Sequence, residues 1–319
     1  MQALVTGGAG FIGSNLTDAL LARGIAVRVI DDLSAGHLSN LAGADVEIIE
    51  ADIRDPAACE RACAGVDVVF HQAARNSVPR SLADPMGAFE VNLVGTHNLL
   101  MAARDAGVGR FVYASSSSVY GANPALPRRE DQLLAPMSPY AGSKAAMEDL
   151  CNGFGTAFGL PVIGLRYFNI FGPRQDPLNP YAAVVPLFIH AAIEGRAARI
   201  FGDGTQTRDF TFVTNAVAAN IGAMDAPDSA CQRAFNVATG GSVTVLELHR
   251  AIADAVGTYV PPQLVAPRAG DQPHSSADTA AAGAALGYRC DTSFEDGIAK
   301  TVAWFREHLH WFDPERRGV

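Results

Sequence analysis

Short runs of almost continuously apolar residues alternate with amphipathic helical stretches in the first half of the chain. Runs without polar alternation are typical of strands that are buried on both faces of a sheet. The runs that we predict to be strands are residues 3–6, 26–31, 46–50, 66–71 and 111–115, and the clearest helical patterns are residues 12–23 and 87–106. Strands that alternate with helices predict an α/β fold with a doubly wound parallel sheet. A mixed α+β sheet would need hairpin signals between neighbouring strands, and the sequence lacks them.

The pattern changes after about Arg166. Residues 171–181, 201–210 and 261–273 are rich in Pro, Gly and polar side chains, so we predict three long loops. Several long polar loops in one half of a chain are typical of a binding surface. We therefore predict a nucleotide-binding domain at residues 1–168 (plus about 210–240) and a smaller C-terminal substrate-binding domain at residues 169–209 and 241–319.

Composition and charge exclude several classes of partner. The chain has 319 residues, of which 49% are hydrophobic and 18% charged, as in compact soluble proteins. Its net charge of −9 disfavours nucleic acid and anionic membranes. The longest apolar stretch, residues 181–193, is too short to span a bilayer, and the N-terminus has no targeting signal, so we expect a cytoplasmic protein. The five scattered cysteines and eight histidines show no metal-site spacing, so we expect no metal.

A glycine-rich loop follows the first predicted strand and opens a helix. Its sequence is Thr6-Gly7-Gly8-Ala9-Gly10-Phe11-Ile12-Gly13. Glycines in this position let the backbone approach a pyrophosphate, and the helix N-terminus offers free N–H groups and partial positive charge. Asp31 ends the second predicted strand, about 20 residues later, where a carboxylate can bind the adenosine ribose hydroxyls. Because Asp31 and Asp32 would repel a 2′-phosphate, the pattern favours NAD over NADP.

Candidate chemistry is concentrated in Ser138-Pro139-Tyr140-Ala141-Gly142-Ser143-Lys144. Ser138 is a suitable N-cap and Pro139 suits the first helical position, which puts Tyr140 and Lys144 on one helix face. An ammonium beside a phenol favours the phenolate and lowers its pKa from about 10. The segment follows a strand that ends in four serines, residues 115–118, at the edge of the sheet where α/β sites form.

These motifs together resemble the extended short-chain dehydrogenases/reductases, which have a Rossmann sheet. The resemblance covers nearly the whole chain and is greatest to the NAD-dependent UDP-hexose 4-epimerases of the UDP-N-acetylglucosamine/UDP-glucose type. The further segments that carry it are Ala51-Asp52-Ile53-Arg54-Asp55, His71-Gln72-Ala73-Ala74, Ser77-Val78-Pro79-Arg80-Ser81, Leu165-Arg166-Tyr167-Phe168-Asn169, Gly202-Asp203-Gly204-Thr205-Gln206-Thr207-Arg208-Asp209-Phe210 and Arg268-Ala269-Gly270-Asp271.

The resemblance implies a role for each matching position. The catalytic residues are Ser116, Tyr140 and Lys144. The cofactor-binding positions are Gly7, Gly10, Phe11, Ile12, Gly13, Asp31, Asp32, Gly36, Asp52, Ile53, Ala73, Ala74, Asn92, Tyr140, Lys144 and Phe168. The substrate-binding positions are Ser77, Ser116, Asn169, Ile200, Phe201, Arg208, Arg268, Asp271 and Ser275. Arg208 and Arg268 would clamp the diphosphate, since two guanidinium groups in one cleft can bind a dianion even on an acidic protein.

The activity that the resemblance implies is inversion at C4 of a UDP-sugar through a transient 4-keto sugar and enzyme-bound NAD. Ser117 and Ser118 replace the Asp-Glu pair of the 4,6-dehydratases, which disfavours dehydration. Ser275 stands where glucose-only enzymes carry a bulky residue, which favours UDP-N-acetylglucosamine and UDP-N-acetylgalactosamine as well as UDP-glucose and UDP-galactose. The alternatives are a UDP-glucuronate 4-epimerase, a net oxidoreductase on a nucleotide sugar, and a non-catalytic NAD sensor. Asn169 counts against a uronate, whereas the cation Arg75 departs from the acetamido-type pattern and has no assigned role.

The resemblance also implies an assembly. Helical residues 87–106 and 140–158 match those that pair into a four-helix bundle in dimers of the family. We therefore expect a homodimer, although the same apolar residues could instead pack only against their own sheet.

Overall fold

The computed structural model describes residues 1–179, 182–267 and 273–313, which form strands and helices in alternation. The strands are β1 (Gln2–Thr6), β2 (Ala26–Asp31), β3 (Val46–Glu50), β4 (Val68–His71), β5 (Arg110–Ser116), β6 (Val162–Tyr167), β7 (Ile170–Phe171), β8 (Arg199–Phe201), β9 (Thr207–Arg208), β10 (Thr211–Phe212), β11 (Arg233–Val237), β12 (Val243–Thr244) and β13 (Gln263–Val265). The helices are α1 (Phe11–Ala22), α2 (Pro56–Cys63), α3 (Val78–Ala83), α4 (Pro85–Phe89), α5 (Thr96–Asp105), α6 (Pro139–Phe158), α7 (Val184–Ile193), α8 (Val213–Asp225), α9 (Val245–Val256), α10 (Ala280–Leu286) and α11 (Phe294–Glu307).

Seven strands form one parallel sheet in the order β3-β2-β1-β4-β5-β6-β11. The doubly wound parallel sheet predicted from the apolar runs is therefore confirmed. The strand order reverses direction between β1 and β4, and ligands bind at the carboxyl ends of strands at such a switch point. This geometry places the glycine loop, which follows β1, beside the ends of β4 and β5.

Both faces of the sheet are covered, which explains why its strands are apolar without alternation. Helices α1, α8 and α10 pack in the core on one face, and α2, α5 and α6 pack in the core on the other. Cys59 and Cys63 on α2 belong to the second core, and burial raises the pKa of both thiols to about 12. They therefore pack as apolar side chains, as expected of reduced structural thiols.

A third core lies in the second half of the chain, where α7, α9 and α11 pack together. Two stretches predicted to be loops contain short strands there. β9 lies within residues 201–210 and pairs with β12, and β13 lies within residues 261–273 and pairs with β8. Ladders of two or three residues show no hydrophobic period, so the sequence pattern could not reveal them. In the described residues, no helix is both long enough and apolar enough to cross a bilayer.

The helix predicted at residues 87–106 is interrupted by a π-helical turn, Glu90–Gly95, between α4 and α5. Single π turns inside helices frequently occur at functional sites. This one carries Asn92, which is fully buried and whose backbone carbonyl accepts a hydrogen bond from the Thr96 hydroxyl at 2.7 Å. The turn thus brings a polar side chain into the core near the end of β4.

Candidate active site

The glycine loop is held against neighbouring backbone so closely that side chains do not fit. Gly7 has φ +65°, and a Cβ there would lie 2.9 Å from the Ala73 backbone after β4. A Cβ on Gly13 would overlap the carbonyl oxygen of Gly7. Gly10 is the N-cap of α1; among the described residues no side chain caps this helix, and its first turn contains no acidic residue. The N–H groups at this end are therefore available to an anion.

Asp31 lies at the end of β2 and is bound to this loop. It is 7% exposed, and its two carboxylate oxygens accept hydrogen bonds from the backbone N–H groups of Ala9 and Leu33, both at 2.9 Å. Burial raises the pKa of Asp31, and the two backbone hydrogen bonds oppose that effect. Each oxygen retains a lone pair with which to accept a further hydroxyl.

The segment after β2 closes over the glycine loop. The Ala9 carbonyl oxygen accepts hydrogen bonds from the His37 N–H at 2.9 Å and from the Asn40 side chain at 2.8 Å. A Cβ on Gly36 would lie 2.9 Å from the Ala9 carbonyl carbon. Asp32 accepts hydrogen bonds from the N–H and hydroxyl of Ser34 at 3.0 and 2.7 Å. The predicted positions Gly36, Asp31 and Asp32 therefore belong to one ordered rim.

These features fit a dinucleotide. Glycines 7, 10 and 13 allow close approach of a pyrophosphate, the open end of α1 supplies N–H donors, and Asp31 can accept from a ribose diol. The carboxylates of Asp31 and Asp32 at one rim disfavour a 2′-phosphate. Phe11 and Ile12 form the first turn of α1 beside this loop.

The other predicted cofactor positions lie along the carboxyl edge of the sheet. Ala73 and Ala74 follow β4, and the Ala73 N–H donates to the Thr6 hydroxyl at 3.1 Å. Asp52 and Ile53 follow β3; Asp52 is paired with Arg54, which lowers the pKa of Asp52, and Ile53 is buried. Asn92 is buried on the π turn described above. Phe168 follows β6 and is fully buried, and its side chain packs with Val119 and Tyr120 in a small apolar core.

The predicted catalytic residues meet where β5 ends and α6 begins. Ser138 caps α6 by accepting the Ala141 N–H at 3.1 Å, and Pro139 occupies the first turn, as the sequence predicts. Tyr140 is 9% exposed, and the side chain of Ser116, the last residue of β5, lowers the pKa of its hydroxyl. The structure therefore places Ser116 and Tyr140 beside each other.

The hydrogen bond of Lys144 is not with Tyr140, the neighbour that its spacing predicts. Burial raises the pKa of Tyr140, and the Ser116 side chain lowers it. The Lys144 ammonium instead donates to the Ala114 carbonyl oxygen at 2.8 Å, because its side chain is buried against β5. Burial also lowers the pKa of Lys144 to about 8. The expectation that Lys144 depresses the Tyr140 pKa is thus not what this geometry shows; Ser116 provides the lowering contact.

A buried ion pair on α6 was missed by the sequence analysis. Glu148, one turn after Lys144, pairs with Arg166 of β6 at 2.7 Å, with side chains only 3% and 7% exposed. The Ser115 hydroxyl also donates to Glu148, and Arg166 donates to the Tyr120 hydroxyl at 2.8 Å. This network ties α6 to the ends of β5 and β6. No local spacing signals this pair, because it depends on which residues of β5 and β6 lie opposite each other.

Three further hydrogen bonds position the start of α6. The Tyr140 N–H donates to the Ser81 hydroxyl of α3 at 3.1 Å. The Asn92 amide donates to the Ser143 hydroxyl at 2.9 Å, and Ser143 in turn donates to the Tyr140 carbonyl oxygen at 2.8 Å. Residues on α3 and on the π turn therefore fix the first turn of the helix that carries the tyrosine.

Several predicted substrate positions cluster around β9. The Ser275 N–H donates to the Thr207 carbonyl oxygen at 3.1 Å, and the Arg208 guanidinium donates to the same oxygen at 2.8 Å. The Asn169 amide approaches the Asp209 carbonyl oxygen at 3.4 Å, and Asn169 has φ +34°. Arg208, Asn169 and Ser275 are therefore brought together by this strand.

The remaining substrate positions differ in their surroundings. Ile200 is 1% exposed and belongs to the core of the second half, whereas the neighbouring Phe201 is partly exposed. Ser77 caps α3 by accepting the Arg80 N–H at 3.2 Å. Arg268 and Asp271, predicted to bind the diphosphate and the uridine ribose, lie outside the described residues.

Comparisons with known proteins show which family has this sequence and fold. Residues 3–238 match the model of the NAD dependent epimerase/dehydratase family. A UDP-glucose 4-epimerase of Mycolicibacterium smegmatis is 44% identical over 312 residues, covering 96% of this chain and 99% of the relative. The structure of a UDP-glucose 4-epimerase from Thermotoga maritima with UDP-glucose superposes with TM-score 0.93 at 36% identity, covering 97% and 100% of the two chains. A UDP-N-acetylglucosamine 4-epimerase from Methanobrevibacter ruminantium, in complex with UDP-N-acetylmuramic acid, gives TM-score 0.92 at 38% identity over 96% and 98%.

Proposed function

This chain belongs to the NAD dependent epimerase/dehydratase family, and from that premise we propose that it inverts the configuration at C4 of UDP-sugars. The substrates that we propose are UDP-N-acetylglucosamine and UDP-N-acetylgalactosamine, together with UDP-glucose and UDP-galactose. The observation that carries the proposal is the convergence of Ser116, Tyr140 and the buried Lys144 where β5 ends and α6 begins, at the carboxyl edge of the sheet. There the Ser116 side chain lowers the pKa of Tyr140. The similar 4-epimerases support UDP-sugar chemistry.

NAD, when bound, supplies the acceptor and donor of the C4 hydride. Tyr140 takes the proton of the C4 hydroxyl and returns it to the same oxygen after the 4-keto sugar has turned its other face. Ser116 accepts two hydrogen bonds from Ser118 and so directs its own proton towards Tyr140, where it stabilises the phenolate. With a pKa of about 8, Lys144 remains mostly charged at neutral pH, and we expect it to hold the nicotinamide ribose.

Two neighbouring reactions are less well supported by the residues present. Elimination of water needs an acid and a base beside the sugar, and Ser117 and Ser118 supply neither. UDP-glucuronate is the second candidate, because the cation Arg75 near the site could bind the carboxylate of a uronate. Its guanidinium is paired with Asp84, however, which supports a neutral sugar.

The small side chain of Ser275 supports a substrate pocket that admits a 2-acetamido group. Ser275 and Arg208 both donate to the Thr207 carbonyl oxygen of β9, which supports a place for Ser275 near a nucleotide sugar bound by that arginine. We therefore propose that N-acetylated and plain hexoses both fit.

We also propose a homodimer formed through α5, α6 and the helical turns beside them. Leu82 on α3, Met86 and Phe89 on α4 and Phe158 at the end of α6 each expose between 49% and 64% of their surface. Exposed apolar side chains on helices suit a helix-to-helix contact with a second copy. The division into residues 1–168 (plus about 210–240) and residues 169–209 and 241–319 is likewise a proposal, supported by the entry of β11 into the main sheet.

The test is a proton NMR time course of the purified chain, without added NAD, in separate tubes of UDP-N-acetylglucosamine, UDP-glucose and UDP-glucuronate. We expect the C4-inverted sugar nucleotide in the first two tubes and none with the Tyr140→Phe variant. Conversion of UDP-glucuronate alone would establish the uronate reading. Net NADH formation would indicate an oxidoreductase, and NAD binding without any turnover would indicate a sensor.

A further inference from the structure

Arg75 is anchored at both its backbone and its side chain. Its N–H donates to the Asn92 side-chain oxygen at 2.9 Å, and the Asn92 amide donates to the Arg75 carbonyl oxygen at 3.2 Å. Its guanidinium donates to the carboxylate of Asp84, nine residues further along the chain. The side chains of the pair are 26% and 50% exposed, so the contact lies at the surface of the site.

Asp84 is shared between this arginine and a helix. It is the N-cap of α4 and accepts the Gly87 N–H at 3.0 Å. That hydrogen bond and the one from Arg75 lower the pKa of Asp84, so the carboxylate is ionised at neutral pH. A Cβ built at Gly87 would overlap both the Arg75 guanidinium and the Asp84 carboxylate. A side chain at residue 87 would therefore displace the Arg75 guanidinium from this position.

The contact closes a short segment of chain onto the catalytic helix. Residues 76–83 lie between the two partners and contain α3, with Ser77 as its cap. Within the segment, the Ser81 hydroxyl accepts the N–H of Tyr140 at 3.1 Å. A shift of this segment would therefore move both the predicted substrate position Ser77 and a hydrogen bond to the first turn of α6.

We propose that Arg75 is a positioning residue, which together with Asp84 and Gly87 forms a clasp that holds the segment 76–83 in place for binding of the sugar nucleotide. The inference rests on the proposed function, because the role of Ser77 does. The clasp also explains why a cation stands at residue 75. Asp84 neutralises the Arg75 guanidinium, so this side chain orders the protein and does not bind a substrate carboxylate. A segment that is already held in place loses less conformational entropy when the substrate binds. The contribution of the clasp is therefore measured as a change in substrate affinity.

The experiment is a double-mutant cycle with Arg75→Ala, Gly87→Ala and the double variant, each as full-length protein. We expect each single variant to raise KM for UDP-glucose about three- to tenfold, with kcat within about twofold, because a hydrogen bond that orders the site is lost. The double variant is expected to match the singles, since either change alone opens the clasp. Arg75→Lys, which keeps the charge, should recover part of the loss.

The control is Gly283→Ala on α10, another helical glycine, whose Cβ would make only an ordinary contact at 3.5 Å with the Tyr288 carbonyl oxygen. It should leave KM unchanged. Additive losses in the double variant, an unchanged KM in Arg75→Ala, or loss of UDP-glucuronate turnover alone would overturn the clasp. If the wild-type chain converts no UDP-sugar, the proposed function fails. Calorimetry with UDP-glucose then tests the clasp by itself. Weaker binding in each variant than in the wild-type chain supports the clasp, and an unchanged Kd contradicts it.

Discussion

Ser118 donates two hydrogen bonds to the side chain of Ser116, one from its hydroxyl at 2.9 Å and one from its backbone N–H at 3.2 Å. Both lone pairs of the Ser116 oxygen are then engaged, so the Ser116 proton is free to point at the Tyr140 hydroxyl. Ser118, which replaces the Glu of the dehydratase Asp-Glu pair, thus orients Ser116 towards Tyr140, the candidate base.

Ser118→Ala should therefore slow epimerisation without disturbing the fold. Loss of one neutral hydrogen bond corresponds to about a two- to tenfold lower kcat. Because the Ser116 contact lowers the Tyr140 pKa, the basic group seen in the kcat profile should titrate at higher pH in the variant. The matched control is Ser117→Ala, which leaves the Ser116 contacts intact. Equal profiles for the two variants would contradict this role of Ser118.

Glu148→Gln should be strongly destabilising. Glu148 is 2% exposed and its partner Arg166 6%, so the change leaves a buried guanidinium without its counter-ion. Breaking a buried pair in this way costs about 3–5 kcal/mol of unfolding free energy. Glu148 also raises the pKa of Lys144, so removing it should lower that pKa further.

Urea denaturation measures this loss, and Asp149→Asn, the exposed neighbour on α6, is its control, with an expected change within about 0.5 kcal/mol. A Glu148→Gln protein as stable as Asp149→Asn would show that the ion pair contributes nothing net.

His71 should make the stability of the protein depend on pH below neutrality. It is completely buried between the hydroxyls of Thr6 and Thr96, each at 2.8 Å. Burial, followed by the charge of Lys144, lowers the pKa of His71 to about 3. In the unfolded chain the same group takes up a proton near pH 6.5. The unfolded state therefore binds more protons below that pH, and stability falls by about 1.4 kcal/mol per pH unit as pH decreases towards 3.

Two measurements check this. The imidazole resonances of His71 should not move between about pH 7 and pH 5 in NMR spectra of the folded protein. In denaturation experiments over the same interval, His71→Gln should lose less stability than the wild-type chain. A titrating His71 signal would remove the basis of the prediction.

The parts of this molecule that the sequence could predict are those with a local signal. The strands show as apolar runs, the glycine loop as a spaced motif, and α6 begins at the Ser138-Pro139 cap that the sequence indicates. The Glu148–Arg166 pair could not be predicted in the same way, because it depends on a register in which Ser115 of β5 lies opposite Arg166 of β6.

The expected effect of Lys144 on the pKa of Tyr140 shows what residue spacing cannot predict. Spacing alone puts the two side chains on one helix face, but it does not show which acceptor the ammonium chooses. The Ala114 carbonyl oxygen at the end of β5 lies within 2.8 Å and takes that hydrogen bond. Likewise, the sequence assigned no role to Arg75, and only the fold reveals Asp84 and Gly87 beside it.

Sugar selectivity should follow from the size of residue 275. Ser275 is bonded to β9 through its backbone N–H, so we expect that a larger side chain there leaves the strand in place. Ser275→Tyr should reduce kcat/KM for UDP-N-acetylglucosamine by about tenfold or more, while UDP-glucose turnover stays within about threefold, since a filled pocket excludes the larger 2-substituent first. Ser275→Ala keeps the pocket open and should retain both activities. The NMR time course with each sugar measures the ratio, and an equal loss for both substrates in Ser275→Tyr would mean that residue 275 does not line the acetamido pocket.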